Sequence, residues 1–98
     1  MADTIQVENI NHPGKVYRAD AVKYAAMRAA FLEAMPKAEP GLTQAEMIAA
    51  VKPHLADDLF PDGKTAGWWA KTVQLDLEAK GLLARKKAGA TRWWLTGL

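Results

Sequence analysis

Apolar side chains recur at two different periods along this chain, and the change of period divides it. Tyr24, Met27, Phe31 and Met35 are spaced by three and four residues, which lays them on one face of an α-helix. Asp20 stands before them as an N-cap and Pro36 stops the helix, while Lys23, Arg28 and Glu33 lie largely outside the apolar face. A second helix starts at Thr43-Gln44-Ala45-Glu46, a capping box in which the Thr43 hydroxyl and the Glu46 carboxylate each accept from the other residue's backbone N–H. Leu42 and Met47 are placed as a hydrophobic staple, and Ile48, Val51 and Leu55 continue the inward face. Pro53 ends this helix or opens a distorted last turn. A third helix opens near Thr65, expected as its N-cap, and runs to Lys80, with Gly81 as a left-handed C-terminal cap. The period then shortens. Leu82–Lys87 and Thr91–Thr96 read as two strands joined by Ala88-Gly89-Ala90, a link of hairpin length.

The first eighteen residues follow neither period. Asn9, Asn11, His12, Pro13 and Gly14 form a turn-rich cluster, and Val16-Tyr17-Arg18 reads as a short extended segment. This stretch is expected to be an arm laid over the domain, partly disordered at its tip. Residues 56–63 read as a loop with Leu59 and Phe60 tucked against the core.

Length and composition narrow the class. At 98 residues the chain has room for one core. Half of it is hydrophobic, 24% is charged, and alanine fills 19 positions, which favours helix and excludes a disordered tail. No apolar run approaches the ~20 residues needed to cross a bilayer, and MADTIQVENI lacks the pattern of a secretory leader. The absence of cysteine excludes disulfides, thiolate zinc sites and iron–sulfur clusters, so a cytoplasmic location is expected. The net charge of +2 conceals an asymmetry. Residues 1–62 carry 6 positive and 9 negative side chains, net −3, whereas residues 63–98 carry 7 and 2, net +5.

Catalytic and metal chemistry find little footing. His12 and His54 are far apart and lack ligand-spaced partners, so each reads as a loop histidine. Asp57, Asp58 and Asp62 make an acidic loop without the glycine and terminal glutamate of a calcium site. No phosphate loop, nucleophile elbow or dinucleotide fingerprint occurs. The expectation is a protein that is not an enzyme and carries no metal or cofactor.

Three helices followed by a basic hairpin is the order of a winged helix-turn-helix. Val73-Gln74-Leu75-Asp76-Leu77-Glu78-Ala79-Lys80-Gly81-Leu82-Leu83 resembles the end of a recognition helix leading into a wing, and Arg92-Trp93-Trp94-Leu95-Thr96 resembles the closing wing strand. Together with His12-Pro13-Gly14-Lys15 and Gly67-Trp68-Trp69, nearly the whole chain resembles a small bacterial family of unknown function with a winged-helix-like fold. The resemblance implies a fold and assigns no activity. The expected architecture is α+β: an N-terminal arm over residues 1–19, able to add a short strand, and a winged-helix domain over residues 20–98. That domain has three helices and a C-terminal two-stranded β-hairpin wing. The segment from Pro53 to Gly63 is far longer than the usual three- or four-residue turn between the last two helices.

On a wheel of 100° per residue centred on Val73, the third helix turns Ala66, Trp69, Ala70, Leu77 and the stem of Lys80 inward. Trp68, Lys71, Leu75 and Glu78 fall on the far side. The outward N-terminal part offers Lys64, Thr65, Trp68, Lys71 and Thr72 beside the free N–H groups of the first turn. The wing adds Arg85, Lys86, Lys87 and Arg92. These define the candidate nucleic-acid-binding set: Lys64, Thr65, Lys71, Thr72, Arg85, Lys86, Lys87 and Arg92, with duplex DNA as the partner. Four to six of these cations on phosphates would give a slope of log affinity against log salt of about −4 to −5. The alternative is a solvated basic surface with no ligand. Asp76 and Glu78 oppose phosphate contact by the C-terminal half of the helix.

Trp69 and Trp93 read as core. Trp68, Leu75 and Trp94 form a candidate partner surface, for a homodimer or another protein. The Trp68/Leu75 pair has two other possible fates: cover by the Leu59-Phe60 loop or the N-terminal arm, or contact with nucleic acid.

Overall fold

The helix signals act as they read. In the computed structural model, which describes residues 3–61 and 64–96, the Asp20 carboxylate accepts from the N–H groups of Val22 and Lys23 at 2.9 and 3.1 Å. Helix α1 runs from there over Ala21–Ala34 and buries Tyr24, Met27, Ala30 and Phe31. The capping box opens helix α2, Gln44–Val51, with Thr43 N–H to Glu46 Oε1 at 2.9 Å and Glu46 N–H to Thr43 Oγ1 at 3.3 Å. Pro53 falls in a 3₁₀ turn over Lys52–His54 that closes α2. Helix α3 spans Ala66–Ala79. Its C-terminus is a two-bond cap: the Gly81 N–H donates to Glu78 O and the Leu82 N–H to Leu77 O, with Gly81 at φ +75°.

The start of α3 departs from expectation. Thr65 sits at the N-cap position but adopts φ 62° and caps nothing. The left-handed backbone turns its hydroxyl back to donate to Lys64 O at 2.6 Å, away from the helix. Phe60 is buried and Leu59 packs on the core, as the loop reading expects. Asp62 and Gly63 of that loop lie outside the described residues.

Two separate antiparallel hairpins complete an α+β fold. The second, strands β3 (Leu83–Ala88) and β4 (Ala90–Leu95), is the expected C-terminal hairpin. Its ladder continues to Ala88 opposite Ala90, so Gly89 alone is the tip and the three-residue link is not formed. The segment between α1 and α2 joins this sheet. Leu42 and Trp93 exchange backbone hydrogen bonds at 2.9 and 2.8 Å, and Leu95 N–H donates to Pro36 O at 2.8 Å. Gly41 (φ +79°) makes this approach possible, since a Cβ there would stand 2.1 Å from Trp93 O.

The N-terminal arm is a full hairpin, which corrects the expectation of an arm able to add a single short strand, with the β-hairpin at the C-terminus alone. Strand β1, Thr4–Glu8, pairs with β2, Val16–Asp20, placing Val7 opposite Tyr17 and Ile5 opposite Ala19. The cluster Asn9–Lys15 forms the turn, with His12 N–H to Asn9 O and Lys15 N–H to His12 O. The hairpin forms because Val7 and Ala19, one on each strand, share a face that joins the core of Met27, Phe31, Val51, Phe60, Val73 and Leu77. Met1 and Ala2, the outermost part of the expected disordered tip, lie outside the described residues.

Candidate nucleic-acid interface

Helix α3 decides what the protein can present. Its inward face holds as expected: Ala66, Trp69, Ala70, Val73 and Leu77 are buried. Beyond Thr72 the helix is buried all round, including Gln74, Leu75, Asp76 and Glu78. This corrects the assignment of Leu75 and Glu78 to an exposed far side. The cause is that each hairpin claims one flank of the helix. Asp76 and Glu78 are two residues apart and project about 200° from one another around the axis.

Asp76 is completely buried and takes three donors. The Tyr24 hydroxyl donates to Oδ2, the Glu8 backbone N–H to Oδ1 at 2.8 Å, and Lys80 Nζ meets Oδ1 at 2.5 Å. The Glu8 bond fastens strand β1 to α3. Burial, then the hydrogen bond to Asp76 and its negative charge, raise the Tyr24 phenol above its ordinary value and keep it a donor. Lys80 lays its ammonium 5.8 Å from the Tyr24 ring, so its stem does lie inward as the wheel places it.

Glu78 performs the matching task for the other hairpin. Its Oε1 accepts from Trp93 Nε1 at 2.8 Å and faces Arg85 Nε at 3.4 Å. Its buried Oε2 has no hydrogen-bond partner among the described residues.

The eight expected nucleic-acid residues therefore separate into two groups. Lys64, Thr65 and Lys71 are exposed and Thr72 is half-buried at the start of α3. The Thr72 hydroxyl donates to Trp68 O at 2.9 Å. On the wing, Arg85 is held by Glu78 and Lys86 by Glu39 at 3.6 Å. Arg92 reaches Glu46 Oε1 at 3.1 Å and Gly41 O at 3.3 Å. The Thr43 N–H, then the Thr43 hydroxyl and Arg92 hold the Glu46 carboxyl below its ordinary value. Lys64, Lys71 and Lys87 form no ion pair among the described residues. Three of the four wing cations of the candidate set are thus paired with carboxylates.

The candidate partner surface contracts. Leu75 is 9% exposed and Trp94 is half-buried, while Trp68 is 62% exposed. Trp69 and Trp93 are core, as expected. Of the fates considered for Leu75, cover by the N-terminal segment is the one adopted. Trp68 instead forms one wall of a groove of about 310 Å³ between α3 and the N-terminal hairpin. Val7, Ala19 and Leu75 contribute its apolar surface, and Tyr17 and Arg18 line it from β2. Tyr17 and Arg18 are the residues that reading the sequence passed over. The available signal was the alternation of Ile5 and Val7 against Tyr17 and Ala19.

Residues 4–94 match a family described as a family of unknown function (DUF6958), and the chain belongs to it. No curated protein and no solved structure matches the chain. Among the described residues, no helix is long and apolar enough to cross a membrane. No group of three or more His, Cys, Asp or Glu side chains gathers there in a metal-binding arrangement.

Proposed function

We propose that this chain is a non-enzymatic, cytoplasmic winged-helix domain that binds duplex DNA through the first two turns of α3 and the β3–β4 hairpin. The observation that carries the reading is the selective exposure of α3. The helix is buried from Val73 to Glu78 and exposes Gly67, Trp68 and Lys71 near its start, just after Lys64, at the positive end of its dipole. Topology supports it: the Leu42–Trp93 bridge ties the α1–α2 segment to the edge of the hairpin, which packs beside a three-helix core.

The ion pairs sharpen the expected energetics. Lys86 and Glu39 are 67% and 56% exposed, and such a pair contributes about 0–1 kcal/mol, so a phosphate can displace it. Arg85 and Arg92 are held in bonds that tie the hairpin to α3 and α2. The three unpaired lysines alone would give a salt slope of about −3, shallower than a count of every basic residue suggests.

Fluorescence anisotropy with labelled duplex DNA at low and moderate salt tests this. Binding that weakens with salt, and that falls further for Lys87→Glu than for Lys86→Glu, is expected. Undetectable binding at low salt overturns the proposal.

A second reading, a protein-interaction module or homodimer, is favoured by Val16, Tyr17 and Trp68, apolar side chains 44–62% exposed on or beside the N-terminal hairpin. Light scattering on wild type and Trp68→Ala separates it: a Trp68-dependent dimer supports it, and a monomer in both opposes self-association.

A further inference from the structure

The groove between α3 and the N-terminal hairpin shares Trp68 and Thr72 with the helix start that duplex binding uses, and the rest of its lining lies outside that surface. We infer that it takes an unpaired nucleobase, stacked between Tyr17 and Trp68, so that the preferred ligand has a single-stranded stretch. This inference rests on the nucleic-acid reading above and narrows it.

The argument starts from shape. Tyr17 and Trp68 line the groove from different elements and remain 44% and 62% exposed, large areas of ring to leave in water. Val7, Ala19 and Leu75 supply apolar surface between them. The volume of about 310 Å³ lies at the small end of the about 300–1,000 Å³ typical of ligand sites. A slot with aromatic walls suits a flat ring offered by its face. Bases in a duplex offer only their edges, because their faces are already stacked, whereas a single strand presents faces freely.

Charge selects among flat ligands. Arg18 lines the groove, and Lys71 lies on the same stripe of α3 as Trp68, about 60° from it around the axis. Lys64 precedes the same end of the helix. None of these three cations forms an ion pair among the described residues. An apolar peptide would leave all three unanswered. A base carrying a phosphate on each side answers them, combining a stacking platform with a positive rim. Glu8 and Asn9, also in the lining, are the polar groups available to a base edge.

The test compares three labelled ligands with the intact chain at one low salt concentration: an oligothymidine strand, an abasic strand of equal length, and a duplex. Anisotropy on wild type should show the thymidine strand bound about ten-fold or more tightly than the abasic one. Trp68→Ala should erase that advantage, and Trp68→Phe should restore most of it. Trp68 is exposed, so circular dichroism is expected to show both variants folded.

Duplex binding with no preference for thymidine over abasic strand overturns this inference and leaves the proposed function standing. No binding to any of the three overturns both. A Trp68-dependent dimer that excludes nucleic acid overturns it in favour of self-association.

Discussion

The two hairpins look alike and are held differently. Each is a two-stranded antiparallel ladder laid against α3, and each is tied to it by a buried carboxylate, Asp76 for the first and Glu78 for the second. The C-terminal hairpin puts Leu83, Trp93 and Leu95 into the core and is bridged at its edge by Leu42. The N-terminal hairpin contributes only Val7 and Ala19, and leaves Ile5, Val16 and Tyr17 at 37–52% exposure. One is built into the domain by apolar burial; the other is fastened onto it through a hydrogen-bond hub. Hub fastening leaves its outer surface free for ligands, and places the N-terminal hairpin at the low-stability end of the molecule.

The largest expected effect is at that hub. Asp76→Ala leaves the buried Tyr24 hydroxyl and the Glu8 N–H without their acceptor, a loss of about 3 kcal/mol in urea unfolding. Hydrogen exchange should rise first in β1 and β2. A loss confined to the C-terminal hairpin would reverse the comparison. Next comes Gly41→Ala, at about 2 kcal/mol. The added methyl meets Trp93 O and forces the Leu42 bridge off β4, so exchange should rise at Leu42 and Trp93 while β1 and β2 stay protected.

Glu78→Gln should cost less than about 1 kcal/mol. The amide oxygen still accepts from Trp93, and the buried Oε2 already lacks a partner among the described residues. A loss as large as that of Asp76→Ala would show the two anchors to be equivalent.

The smallest effect is in acid. Glu46 has its carboxyl held below the ordinary value of 4.5 by the Thr43 N–H and hydroxyl and by Arg92, so its contribution is fully present above that pH and is lost as pH falls through the lower folded value. Glu46→Gln should therefore lower stability at neutral pH and flatten the acid limb of the stability curve.

The same contrast explains what was legible in the chain. Elements set by local chemistry could be read: the Asp20 cap, the Thr43–Glu46 box, the Gly81 terminus and the Leu83–Leu95 hairpin. The N-terminal hairpin was harder because its strands are joined by a seven-residue turn cluster and bury one apolar side chain each. It is fastened by Asp76, 68 residues from the N–H it accepts, and a contact of that range leaves no periodic trace. Leu75 and Glu78 were misplaced for the same reason: a helical wheel gives angles, and only tertiary packing says which of them are covered. Arg85, Lys86 and Arg92 counted as free charge until the fold brought Glu78, Glu39 and Glu46 beside them.

The central claim, that α3 offers nucleic acid its first two turns and nothing beyond, is tested most directly by amide chemical-shift mapping during titration with duplex DNA. The account predicts shifts concentrated at residues 64–72 and 85–92, with Val73–Glu78 unmoved. Saturating shifts across the outer face of β1 and β2, or no shift anywhere at low salt, would contradict it.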